Sequence, residues 1–189
     1  MRNDLKRREA FKLALLPFIA TQLAGSPALA QGDGSDSVVV YLSRSGNTRV
    51  LAGALSRRFN ASLFELRPRE PWPADYDEMV AWASRKNDEG NLQLAENLLN
   101  IANYRTVFLC HPIWSMDLPA VTASFLRSHD LSGKTIVPII THGGYGQGSA
   151  VETARSLASD AIFIDAFVLA CNQERDDLAS LDQWLGENL

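Results

Sequence analysis

Short runs of apolar, often β-branched residues recur along this chain, and each is followed by a stretch whose apolar residues return every three or four positions. Val38-Val39-Val40-Tyr41-Leu42 is apolar without a break, as a strand buried on both faces requires. Val50, Leu51, Ala54 and Leu55 then mark one face of a helix. Ala61 to Leu66 is a weaker, alternating run and is placed at a sheet edge. Thr106 to Cys110 is a second buried strand, followed by Leu118, Val121 and Phe125 at helical spacing. Thr135 to Ile140 reads as a strand, although Pro138 lacks the donor that a central strand uses. Ala150, Val151, Ala154 and Leu157 give the next helix face, Ala161 to Leu169 a strong strand, and Leu178, Leu181 and Leu185 a closing helix. Five strands alternating with helices require right-handed crossovers and a doubly wound, five-stranded parallel sheet in three α/β/α layers.

One connection is long. Arg67 to Tyr104 is polar and carries Pro68, Pro71 and Pro73. It is expected to hold a helix from Ala74 to about Lys86 and a second near Leu92 to Leu99.

The first 30 residues stand apart from this pattern. They begin basic, continue through an apolar stretch from Leu13 to Ala24, and end Ala28-Leu29-Ala30, the small-x-small pattern of a cleavage site. The apolar stretch is shorter than the roughly 20 residues that span a bilayer. Residues 1–30 are therefore expected to be a removed signal peptide, 31–36 a linker and 37–189 the folded domain, with no stable membrane insertion. Arg7-Arg8-Glu9-Ala10-Phe11-Lys12 resembles a twin-arginine export signal, though the usual Ser or Thr before the pair is absent. That route carries folded proteins and implies a periplasmic location, with any cofactor acquired before export.

Charge follows the same division. Arg2, Lys6, Arg7, Arg8 and Lys12 against Asp4 and Glu9 give the leader +3, so the remainder carries −7 of the net −4. An acidic body argues against nucleic-acid binding, which needs clustered Lys and Arg, and suits a basic partner. Cys110 and Cys171 match no metal or thioredoxin spacing. They end strands expected to lie two apart, beyond disulfide reach.

In doubly wound sheets, ligands sit outside the carboxyl ends of the strands. The first such loop, Ser43-Arg44-Ser45-Gly46-Asn47-Thr48, offers hydroxyls, an amide, free backbone and a helix N-terminus. It lacks the lysine of a nucleoside-triphosphate loop and the Gly-x-Gly-x-x-Gly of a dinucleotide site, so a terminal monophosphate fits better. Alone, it would equally serve as a polar N-cap turn. The second loop, His111-Pro112-Ile113-Trp114-Ser115-Met116-Asp117, holds a large aromatic residue that a flat ligand would stack on, or that folds back on the core. The third, Thr141-His142-Gly143-Gly144-Tyr145-Gly146-Gln147-Gly148, is rich in glycine, which lets backbone approach a ligand, and Tyr145 offers a second stacking face. His111 and His142 are read first as structural residues, and His129 as a surface residue before a turn.

Ser-x-Ser-Gly-Asn-Thr after the first strand, Pro-Ile-Trp after the third and Thr-x-Gly-Gly-x-Gly after the fourth, in that order from Val38 onward, resemble the flavodoxin family. The resemblance implies strand order 2-1-3-4-5 and one FMN. It implies phosphate contacts from Ser43, Ser45, Gly46, Asn47 and Thr48, with Arg44 alongside. It implies flavin-ring contacts from Pro112, Ile113, Trp114, Gly143, Gly144 and Gly146, with Ser115, Thr141, His142 and Tyr145 in the same loops. Two departures stand out. The long connection is expected to cover part of the site, with Trp82 near the ring, or to bind a partner. The second loop lacks the glycine that electron-carrying flavodoxins place beside flavin N5, so Ser115 or Met116 takes its place and a backbone flip there becomes harder. The expected function is FMN-dependent electron transfer in the periplasm, to a redox protein or a quinone-like acceptor, by a monomer or homodimer. The alternatives are an FMN-dependent NAD(P)H:quinone-type oxidoreductase and a flavin-free binding module.

Overall fold

The computed structural model describes residues 35–90, 92–171 and 174–189. The expected signal peptide, with its expected cleavage after Ala30, and residues 31–34 of the expected linker lie outside the described residues. Each β-branched run forms a strand. Strands β1 (Ser37–Tyr41), β2 (Ser62–Glu65), β3 (Thr106–Pro112), β4 (Thr135–His142), β5 (Ile162–Phe163) and β6 (Phe167–Ala170) alternate with helices α1 (Asn47–Phe59), α2 (Tyr76–Glu89), α3 (Ala120–Ser128), α4 (Ala150–Leu157) and α5 (Glu174–Asn188). The sheet runs β2-β1-β3-β4-β5, with β6 also against β4, and every pairing is parallel. This is the expected flavodoxin-like order.

Alternation along each strand divides the core into two layers. Val38, Val40, Leu109 and Ile136 face one apolar cluster together with α3, α4 and Trp82 of α2. Val39, Phe108, Val137 and Ile139 face the other, with Leu51 and Leu55 of α1 and Leu181 and Leu185 of α5. Both faces are covered, as a parallel sheet demands. Each fully buried Phe, Leu or Ile contributes roughly 1.5–3 kcal/mol of transfer free energy.

Pro138 explains a departure in the last strand. The expected run Ala161 to Leu169 is split into β5 and β6. The partner offset changes across the break: Ile136 meets Phe163, whereas Ile139 meets Phe167. One extra residue is therefore accommodated between them. Carbonyls of the even-numbered residues Lys134, Ile136 and His142 accept bonds from this outer side. In a parallel strand a residue's N–H and C=O face the same neighbour, so the donor missing from Pro138 faces the break. The proline sits in a central strand because its deficient side meets a gap.

Two other expectations are corrected. Residues Leu92 to Leu99 form no helix. Pro68 pairs antiparallel with Leu94, Arg69 N–H donates to Gln93 O at 2.8 Å, and Ala95 N–H donates to Arg67 O at 2.9 Å. Around Leu94 the chain is extended and forms an isolated antiparallel bridge with the segment that precedes α2, and Leu99 lies in a turn. His129 is not a surface residue. It is half-buried beside Phe125, with ring centroids 4.3 Å apart. Its Nε2 accepts from Leu98 N–H at 3.0 Å while Nδ1 donates to Phe125 O at 2.9 Å. It ties the end of the long connection to α3. No helix among the described residues is long and apolar enough to cross a membrane.

Candidate functional site

A cavity of about 450 Å³ opens at the carboxyl ends of β1, β3 and β4, in the size range of small-molecule clefts. All three predicted loops reach it. Arg44, Ser45, Asn47 and Thr48 line it from the first, Pro112, Ile113, Trp114 and Ser115 from the second, and Thr141, His142 and Gly143 from the third.

The polar end is the start of α1. Gly46 holds a left-handed conformation, φ 106°, which favours glycine, and no side chain caps the helix there. Ser43 is buried, and its Oγ accepts from Gly46 N–H at 3.2 Å, so it shapes the loop from behind without lining the cavity. Val50 N–H already donates to Gly46 O. The preceding amides of Asn47, Thr48 and Arg49 are the ones a helix leaves free, and the first turn holds no acidic residue. An anion suits that end. Thr48 is turned inward: its Oγ1 lies 2.9 Å from Thr141 Oγ1, both groups being buried.

The second loop is a tight turn without glycine. Trp114 and Asp117 exchange backbone bonds of 3.1 and 3.0 Å, and Ser115 and Met116 between them have φ 51° and 63°. Two successive positive φ values make a type I′ turn, which ordinarily selects Asn-Gly. The surroundings hold it. Met116 O accepts from Ser149 N–H at 3.0 Å, and Asp117 accepts from Leu118 N–H at 2.6 Å and from Thr153 Oγ at 3.0 Å. A Cβ on Gly148 would lie 1.8 Å from Met116 O, so only glycine lets α4 approach so closely. The strain of the turn persists because the start of α4 over-determines it.

The third loop is organised by His142, whose Nδ1 accepts from Gly144 N–H at 3.0 Å and Gly146 N–H at 3.1 Å. Gly144 and Gly146 thus bind the imidazole and do not line the cavity. Tyr145 is 82% exposed and lies in a neighbouring recess. His111 is buried, and its Nδ1 donates to Pro112 O at 3.0 Å. Burial pushes its pKa down to about 4, against weaker opposing effects from that bond and from Asp117, so the ring is neutral.

The long connection closes one side of the cavity, as expected, with different residues. Trp82 is buried in the core and is not among the lining residues. Tyr76, Met79, Val80 and Ala83, one i, i+3, i+4, i+7 face of α2, line it instead. The apolar spacing marks α2 in the sequence but not which of its faces turns inward, since nothing local fixes where a long connection docks. The docking is visible in two contacts. Arg44 donates to Ala74 O at 3.2 Å with its guanidinium 5.7 Å from the Tyr76 ring, and Trp72 meets Trp114 edge-on at 6.2 Å. Arg44 therefore joins the first loop to the connection. Cys171, just after β6, also lines the cavity, and burial pushes its thiol up. Both cysteines are free, two strands apart.

A search of curated proteins found no match. The family model for flavodoxin matches residues 36–188. Among solved structures, a Bacteroides eggerthii protein described as a flavoprotein is similar, with 26% identity and TM-score 0.67 over 79% of this chain and 97% of that one. One from Bacteroides uniformis shows 22% identity and TM-score 0.70 over 81% and 99%. A Lactobacillus acidophilus flavoprotein in complex with FMN shows 18% identity and TM-score 0.62 over 80% and 99%. With the family model spanning the whole described domain, the chain belongs to the flavodoxin family.

Proposed function

We propose that this chain is an exported, FMN-dependent redox protein that passes electrons to an acceptor on the open side of its cavity. The observation that carries this is the two-ended character of the cavity. An uncapped helix start with Ser45, Asn47 and Thr48 suits a phosphate, and Trp114, Ile113 and Met79 offer apolar surface to a flat ring. Ser45, Asn47 and the amides opening α1 would hold the phosphate. Pro112, Ile113, Trp114, Gly143 and the α2 face would hold the ring. FMN supplies the redox chemistry when bound, and the protein sets its orientation and surroundings. Export rests on Arg7-Arg8, the apolar stretch and Ala28-Leu29-Ala30.

A specific observation bears on the mode of transfer. The turn at Ser115 and Met116 is already in the left-handed region and is fixed by Ser149. Flipping the central Ser115–Met116 peptide would give a type II′ turn, which takes glycine at its first central position, where Ser115 stands; that cost supports two-electron chemistry and the reductase alternative over a one-electron carrier.

The test is the absorption spectrum of the purified mature protein during stepwise anaerobic reduction. Flavin bands, with FMN released on denaturation, support the reading. Passage straight to the two-electron form supports the reductase, and a stable one-electron form the carrier. Absence of flavin, even after FMN is added, would sink the redox reading.

A further inference from the structure

A second recess of about 420 Å³ adjoins the cavity. Ile113, Ser115, His142 and Gly143 line both, while Met116 and Tyr145 line the recess alone. No Lys, Arg, Asp or Glu stands among the six. The backbone that carries the apolar walls is held: Met116 sits in the bonded turn, 49% exposed, and Tyr145 between the two glycines that bond His142.

His142 gives this recess its chemistry. Its Nδ1 lone pair faces two backbone N–H groups. With Nδ1 occupied as an acceptor, the ring carries its proton on Nε2. No described group accepts from Nε2, and the ring lines the boundary between cavity and recess. A fixed N–H donor among apolar walls is complementary to a carbonyl oxygen on a flat, uncharged ring.

We propose that this recess binds an uncharged aromatic carbonyl compound of the quinone class as the electron acceptor, with His142 Nε2–H donating to its carbonyl oxygen. The proposal rests on the reading of the adjoining cavity as the FMN site. The exchange balances with reduced FMN as the reductant. A quinone gains two electrons and two protons, and fully reduced FMN gives up the same number. The role of His142 is to orient the carbonyl and offset the charge that grows on it.

Equilibrium binding tests this without turnover, because oxidised flavin does not react with a quinone. Menadione and 2-methylnaphthalene, which has the same ring without carbonyls, are titrated by calorimetry into oxidised protein at saturating FMN. The variant is His142→Asn, whose Oδ1 replaces Nδ1 as acceptor for Gly144 and Gly146 while the outer donor is lost. The expected result is roughly tenfold weaker menadione binding, the loss of one hydrogen bond, with 2-methylnaphthalene unaffected. Unchanged menadione affinity overturns the donor role. Equal weakening of both ligands also overturns it, since the ring then only supports the loop. If menadione does not bind the FMN-loaded wild type, the recess is not its site. If FMN itself does not bind, the reading of the cavity falls and this one with it.

Discussion

Thr48 Oγ1 and Thr141 Oγ1 meet at 2.9 Å in the buried floor of the site, joining the first turn of α1 to the end of β4 across 93 residues of sequence. The bond fixes the phosphate-side loop against the glycine-rich loop. Thr48→Ala leaves the buried Thr141 hydroxyl without this partner, at a cost of about 1–2 kcal/mol. FMN affinity falls with it, because two loops lose their common reference. Urea unfolding and FMN titration of the variant check both effects.

Gly148 is the spacer between α4 and the strained turn. Gly148→Ala places a methyl group 1.8 Å from Met116 O at φ 54°, and the left-handed conformation alone costs roughly 1–2 kcal/mol. The expected outcome is a loss of more than about 2 kcal/mol, with displacement of Ser115 and Met116. Gly186→Ala is the control. It lies within α5 with open space around its Cβ, and the exchange is expected to stabilise by up to about 1 kcal/mol. Thermal unfolding of the two variants should move in opposite directions.

Acid should act through His111. Its folded pKa, about 4, lies below the ordinary 6.5 because burial disfavours the charged ring. The unfolded chain therefore binds the extra proton first. Stability is full above 6.5 and declines as pH falls toward 4. Between pH 7 and pH 5 the loss from this residue is about 2 kcal/mol. Half-buried His129, also held down by burial, adds in the same direction. Below 4.5 Glu65 contributes too. Burial opposes its ionisation, but bonds from Arg49 and Arg67 outweigh that and keep its carboxyl low. Denaturant titrations at pH 7, 6 and 5 should show the decline, and His111→Gln should flatten it.

The cap of α2 governs the lid side of the cavity. Asp75 accepts from Glu78 N–H at 3.0 Å, and Tyr76 and Met79 follow directly. Asp75→Ala is expected to cost about 1 kcal/mol and to speed amide exchange over 76–80 while β3 and β4 stay protected. Hydrogen exchange read by mass spectrometry resolves the two regions.

The strands were legible because β-branched runs such as Val38 to Tyr41 satisfy one local rule, burial on both faces. The first loop was legible because its residues are contiguous and sit on a helix start. Elsewhere local rules ran out. Pro138 looked unfit for a central strand because sequence does not reveal which side of β4 is unpaired. Trp82 and Tyr76 are both large aromatics of α2, and only tertiary docking decides that the face carrying Tyr76 turns toward the cavity while Trp82 packs in the core. Leu92 to Leu99 fits a helical period locally, but hydrogen bonds between residues 93–95 and 67–69 hold its first part extended. The constraint between Gly148 and Met116 spans two loops and leaves no mark in either one alone.

In the proposed site, the helix start at Gly46 holds a phosphate while Trp114 and its neighbours hold the ring. Titration of the apo protein with FMN and, separately, with riboflavin, which has the ring but no phosphate, tests it directly. One FMN should bind per chain, and riboflavin should bind roughly a hundredfold more weakly, as expected for losing two or so charge-assisted bonds. Equal affinity for the two, or no binding of FMN, would contradict it.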